Sequence, residues 1–296
     1  MAGGRDDVCR PFFMRHLPFY GWFGLLMILV SQAGVFARVE PFYHWHTPIA
    51  WTGYILLADA VVWKRRANSW IRNNRSELLF VTCASVPLWV VFELYNKYSI
   101  YSWYYVGLPE LRLVRMFGYA WSFATITPAI FQTADLVSSV RDRRGTPARK
   151  VSPSPQELGP AAWTMVAAGA AMVAIPVFVH TPYLAALVWL GFIFLLDPLN
   201  ARAGAESILG DLRHGRRGRL INLLLAGLAC GIIWEFWNYW VATKWIYNVP
   251  ILPNLKIFEM PILGFGGFPP FAVECFAMYV TVRRLLWRPI PRPIAV

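Results

Sequence analysis

The chain has 296 residues, 57% of them hydrophobic and only 15% charged, with 15 Trp and a positive mean hydropathy. That is more apolar surface than one soluble core absorbs, so the chain reads as an all-α integral membrane protein, and soluble-enzyme and nucleic-acid-binding classes fall away. The net charge of +12 then reports which side of the membrane the loops occupy, because Lys- and Arg-rich loops stay cytoplasmic.

A span needs about 20 apolar residues. Eight runs meet or approach that length, and they are taken here in chain order. The first, 18 to 37, is long enough to cross and is expected to remain as a helix rather than be removed as a signal peptide. The second, 45 to 63, follows His44 and His46 and ends at Asp59. The third, 78 to 96, closes on Glu93 and Asn96, and an aromatic loop with Trp103 and Tyr105 follows it. The fourth, 118 to 139, carries Gln132. The segment 141–160, rich in Arg, Pro and Ser, has the composition of a connector. The fifth run, 161 to 180, ends at His180, and the sixth, 182 to 198, reaches Asp197. The seventh, 220 to 240, contains the close-packing pair Gly227 and Gly231, then Trp234, Glu235 and Asn238. A second aromatic loop with Trp245, Tyr247 and Glu259 leads to the eighth run, 262 to 282, which holds Glu274.

Under this map 22 of the 28 Lys and Arg fall on one side. That bias predicts both termini on the cytoplasmic face of a bacterial inner membrane. The chain also matches itself. "WTGYILLAD" at 51–59 aligns with "WLGFIFLLD" at 189–197, an offset of 138, and Glu93, Asn96, Trp103, Tyr105 and Pro128 align with Glu235, Asn238, Trp245, Tyr247 and Pro270 at an offset of 142. A fixed offset carried by identical polar residues is the mark of a duplication. The expectation is two four-helix repeats, 1–140 and 161–296, joined by the linker; an even number of helices in each makes the repeats parallel.

Within each half the Glu-x-x-Asn pair shares one helix face at the outer end. An acid at such depth costs about 2.5–3.5 kcal/mol on insertion scales and should face protein or water. Either the two Glu/Asn faces line one cavity, or they bond to irregular backbone that follows them. The aromatic loops after them are expected to lie along the interface as short interfacial or re-entrant pieces, with Trp and Tyr over a pocket. Glu274 aligns with Gln132, so an amide in one half is an acid in the other; it is a candidate proton donor or a carboxyl bonded to a freed carbonyl near Pro269 and Pro270. His44, His46 and His180 are expected at the outer mouth, where a metal site would need them together. Asp59 and Asp197 are expected in surface ion pairs or beside lipid phosphate. Cys9, Cys83, Cys230 and Cys275 have no metal or disulfide spacing and read as buried apolar filler.

Three functions remain open on these residues. One is binding of an apolar isoprenoid-like lipid, a carotenoid or a quinone-like molecule, between the repeats, with acid-catalysed isomerisation or cyclisation as the chemistry that Glu235, Glu274, Glu93 or Glu259 would support. Trp103, Trp245, Tyr105, Tyr247, Trp234, Asn96 and Asn238 would line its site. The second is a structural subunit whose partners are membrane lipids and other, pigment-binding membrane subunits. The third is a proton-coupled transporter.

The stretches "WEFWNYWVATKWIYNVP" and "FEMPILGFGGFPPFAVEC" look like those of a family of uncharacterised bacterial membrane proteins. More loosely they resemble membrane-bound lycopene cyclase domains, in the spacing of Glu93 to Trp103 and Glu235 to Trp245. The cyclases' Pro-x-Glu-Glu-x-x-Phe-Phe is missing, with only Pro109-Glu110 and Glu259-Met260-Pro261 near it. The resemblance implies proton-initiated chemistry on a long isoprenoid.

Overall fold

The computed structural model describes residues 16–141 and 154–286. The chain is mostly helical. Its long helices are α1 (Phe19–Phe36), α2 (Phe42–Arg66), α4 (Arg75–Tyr95), α5 (Arg112–Arg141), α6 (Pro160–Phe178), α7 (Ala185–Arg202), α9 (Gly218–Tyr239) and α10 (Phe268–Leu286). Two short helices, α3 (Trp70–Asn73) and α8 (Ile208–Arg213), lie between them. The strands are β1 (Trp103–Val106), β2 (Lys244–Tyr247), β3 (Lys256–Ile257) and β4 (Met260–Pro261). Most of the linker, and Cys9 with it, lies outside the described residues.

Six helices, those in Phe19–Phe36, Arg75–Ile100, Pro160–Phe178, Pro182–Arg202, Gly218–Tyr239 and Ile262–Leu286, are long and apolar enough to cross a membrane. The protein is therefore membrane-embedded. The two long helices outside that group are α2 and α5. Helix α5 buries Thr125, Thr127, Gln132, Thr133 and Asp135, and these polar groups lower its apolarity because they bond inside the protein instead of facing lipid.

Helix starts follow local chemistry. Gly159 and Pro160 open α6, and Pro269 and Pro270 sit in the first turn of α10, where a missing N–H costs nothing. Packing recurs in the two halves. Helix α1 lies on α2, and α6 on α7. A Cβ at Gly24 would strike the Gly53 carbonyl, as one at Gly169 would strike the backbone of Leu195, so both pairs approach backbone to backbone. Across the middle, Phe92 stacks on Trp189 with ring centres 5.1 Å apart. At the corresponding positions Trp234 meets Trp51 at 5.2 Å. Each such pair contributes about 0.5–1.5 kcal/mol beyond the area it buries.

The aromatic loops, expected as short interfacial or re-entrant pieces, each carry a strand. They pair with each other: β1 and β2 form an antiparallel sheet with Trp103 opposite Tyr247 and Tyr105 opposite Trp245. The 142-residue offset maps this register onto itself. Backbone groups that an interfacial loop would leave to water are thus satisfied across the halves.

Asp59 and Asp197 are not in surface ion pairs. Both are buried, and they hold the starts of the short helices: Ile71 N donates to Asp59 Oδ1 at 3.0 Å, and Ile208 N and Leu209 N donate to Asp197, each at 2.7 Å. A carboxylate at a helix N-terminus satisfies free N–H groups and favours the dipole. At the same basic end Arg283 reaches Glu206 at 3.1 Å and Glu77 at 3.6 Å, and Tyr279 donates to Glu77. This buried cluster ties α4 to α10 and to the α7–α8 connection. Cys230 and Cys275 are buried as expected, whereas Cys83 is exposed.

Candidate functional site

The Glu-x-x-Asn motif divides into two parts with different work. The amides close the turn that follows each helix. Asn96 Nδ2 donates to Trp103 O at 2.8 Å and its Oδ1 accepts from Trp103 N at 3.0 Å. Asn238 makes the same pair with Trp245, at 2.7 and 3.0 Å. Each amide substitutes for a strand partner and fixes where β1 or β2 begins. In the first half the helix end also widens into a π turn at Asn96–Ile100, and Tyr95 donates to Val173 O of α6 at 2.8 Å.

The carboxyls stand behind the sheet. Glu93 Oε1 accepts from Tyr105 OH at 2.5 Å, Trp89 Nε1 at 2.9 Å and Trp103 Nε1 at 3.2 Å. Glu235 Oε1 accepts from Tyr247 OH at 2.8 Å, and Tyr247 in turn accepts from Trp245 Nε1 at 2.8 Å. Glu235 Oε2 has no hydrogen-bond partner and is buried. Burial, then the carboxylate beside each, pushes the Tyr105 and Tyr247 hydroxyls well above the ordinary tyrosine value, so both remain proton donors.

Trp103, Tyr105, Trp245 and Tyr247 occupy one face of the sheet, since alternate residues share a face and the pairing sets them opposite one another. All four line a cavity of about 500 Å³. The opposite face presents Tyr104, which is exposed. The cavity's other walls come from both halves: Trp51 of α2, Trp89 of α4, Phe123 of α5, Trp189 of α7, Trp234 of α9 and Phe271 of α10. Its lining is predominantly apolar, and its size falls within the roughly 300–1,000 Å³ of ligand pockets. Exposed Tyr183, Ile251 and Leu263 also line it, so the cavity reaches the protein's surface.

No family model, curated protein or solved structure matches this chain.

The remaining candidates fall elsewhere. Glu259 pairs with Lys244 at 2.6 Å, and Lys244 is a lining residue. Glu274 is fully buried and is not among the lining residues; its Oε1 accepts from Phe192 N at 3.3 Å, while Oε2 is unpartnered. Its counterpart Gln132 donates to Asp59 Oδ1 at 3.1 Å. Glu274 thus sits between α10 and α7, apart from the cavity.

The three histidines do not converge. His46 is buried with Nδ1 on Ser31 Oγ at 2.8 Å, His44 is at the surface against Glu40 at 2.5 Å, and His180 is exposed beside Val177 O at 3.1 Å. Among the described residues no three His, Cys, Asp or Glu side chains are grouped to hold a metal.

Trp51, Trp89, Trp189, Phe123 and Phe271 were not among the expected site residues. A signal for two of them exists, because Trp51 and Trp189 are identical residues at the 138-residue offset.

Proposed function

We propose that this is an inner-membrane protein of two parallel four-helix repeats, eight spans in all with cytoplasmic termini, which holds one long apolar lipid between the repeats beneath the β1–β2 sheet. The observation that carries this reading is the aromatic cavity of about 500 Å³, walled by both halves. Support for the repeats comes from contacts that recur at matched positions, such as Asn96 with Trp103 and Asn238 with Trp245. Support for the orientation comes from basic residues gathered at the end opposite the strands.

Flat, rigid walls of Trp, Tyr and Phe favour an unsaturated, isoprenoid-like chain over a saturated acyl chain, since ring faces meet extended π systems at little cost in side-chain entropy. Glu235 is the acid best placed for proton chemistry on such a chain, through the Tyr247 hydroxyl that lines the cavity. Purification in mild detergent, followed by extraction and mass spectrometry, should recover close to one isoprenoid-like lipid per chain. Protein that is folded and free of any such lipid would overturn the reading.

A second reading, a non-catalytic subunit of a larger membrane assembly, is favoured by one observation: the polar groups of the motif are engaged within the fold, both amides in fixing strands and Glu93 Oε1 in accepting from three donors. In that case Glu235→Gln would leave the activity of the assembly unchanged.

A further inference from the structure

The cavity wall carries Arg115, Lys244 and His44 and neither Asp nor Glu. Lys244 holds Glu259 at 2.6 Å, and His44 meets Glu40 at 2.5 Å. Arg115 is half-buried and has no carboxylate partner among the described residues. Its Nη1 donates to Pro109 O over 3.4 Å, beyond the usual N–H···O range, so a guanidinium with five donors is left largely unanswered. A cation taken partly out of water against apolar walls is costly without a counter-charge. The bias of the basic loops does not account for it, because α5 begins at the strand end of the molecule, away from them.

The place of Arg115 in α5 gives the site a direction. Arg115, Tyr119, Ser122 and Ile126 recur at helical spacing and share one face, and all four line the cavity. Along that face the wall turns from charged to polar to apolar, ending at the buried Ile126. At about 1.5 Å per residue the face is about 16 Å long. The other half supplies no second cation of this kind: at the 142-residue offset Arg115 is matched by Ile257, which lies in β3 instead of a helix.

We infer that the lipid is an acid, whose carboxylate sits on the Arg115 guanidinium at the strand end of the cavity while its apolar chain runs along the α5 face toward Ile126. The inference rests on the lipid-binding reading of the cavity. A carboxylate offers two oxygens to the guanidinium fork. It also brings one negative charge to the one lining cation that lacks a carboxylate, where a doubly charged phosphate monoester would leave a charge unmatched against aromatic walls. The ligand class is thus a long-chain, isoprenoid-like carboxylic acid.

Farnesoic acid, its methyl ester and acetate separate head from chain: the first two share one chain and differ by a charge, and acetate is the head alone. Tritiated acid and ester are titrated in turn onto the full-length protein in phosphatidylcholine nanodiscs, in mildly alkaline buffer that ionises the acid. Bound label is read by scintillation proximity, with empty discs subtracted. The acid should bind about tenfold or more tighter than the ester, the size of a well-formed hydrogen bond to a charged group, and acetate in large excess should not displace it. Arg115→Gln should bring the acid down to the level of the ester and leave the ester unchanged. Arg115→Lys, which keeps the charge and loses the fork, should fall between. Equal binding of acid and ester by the wild type would overturn the carboxylate and leave the lipid cavity standing. Displacement by acetate would overturn the acidic lipid in favour of a free-anion site, and an undiminished preference in Arg115→Gln would overturn Arg115 as the anchor. Failure of both acid and ester to bind would overturn the cavity reading together with the inference. The wild-type comparison decides the matter even where a variant does not fold.

Discussion

Asn238→Ala removes one side chain and two hydrogen bonds, and its effect can be worked from the geometry. Asn238 is fully buried, and it holds Trp245 by both backbone groups, at 2.7 and 3.0 Å. A typical intramolecular hydrogen bond contributes about 0.5–1.5 kcal/mol net, and a buried group left without a partner costs about 1–3 kcal/mol. Two bonds lost at a half-buried strand end therefore give about 2–4 kcal/mol of destabilisation. Equilibrium unfolding in mixed micelles, titrated with dodecyl sulfate and followed by circular dichroism, measures it. Asn96→Ala should behave alike, since Asn96 makes the same two bonds to Trp103. The two substitutions should not add, because β1 and β2 pair with each other and freeing one strand weakens the hold on the other; a coupling of about 0.5–3 kcal/mol is expected for contacting sites. An Asn238→Ala protein within about 0.5 kcal/mol of wild type, or strict additivity of the pair, would refute this account of the motif.

Other substitutions bear on separate parts of the fold. Gly227→Ala would drive a Cβ into the Phe268 carbonyl and should cost about 1–3 kcal/mol, whereas Gly266→Ala meets nothing within 4 Å and should be neutral in the same unfolding assay. Arg283→Gln strips the cation from Glu77 and Glu206 and should destabilise by about 3–5 kcal/mol, as expected when a buried pair is broken. Tyr247→Phe should leave the fold intact while removing the link between Glu235 and the cavity, which thermal unfolding together with lipid retention would separate.

The helices were legible because hydropathy reports burial in lipid directly: the six apolar helices coincide with runs read from composition alone. The Glu-x-x-Asn face was legible because the offset compares like with like. The sheet was not. Four-residue strands carry too little pattern, and the partner that makes Trp103–Val106 a strand is β2, in the other half. Asp59 and Asp197 were misplaced for a similar reason. Each lies next to basic loops in sequence, but the nearest unsatisfied donors in space are the N–H groups of a helix start about a dozen residues onward. The histidines near His-Thr-Pro looked alike in sequence, yet His46 lies inside the bundle against Trp237 while His180 stays outside. The inequality of Glu93 and Glu235 was written in the alignment of Trp89 with Gly231, and its meaning needed the knowledge that Trp89 points its N–H at Glu93.

The register of β1 against β2 has a consequence for ancestry. Each strand completes its sheet only with the strand of the other half, and the same positions face one another under exchange of the halves. Two separate copies of one half would close the same sheet by the same operation, so on the two-repeat reading the arrangement has the geometry of a homodimer whose chains have been fused. In such a homodimer every substitution appears twice. Fusion lifts that constraint, allowing one copy to keep the tryptophan that saturates its glutamate while the other gives it up for glycine and gains a carboxyl with an oxygen to spare.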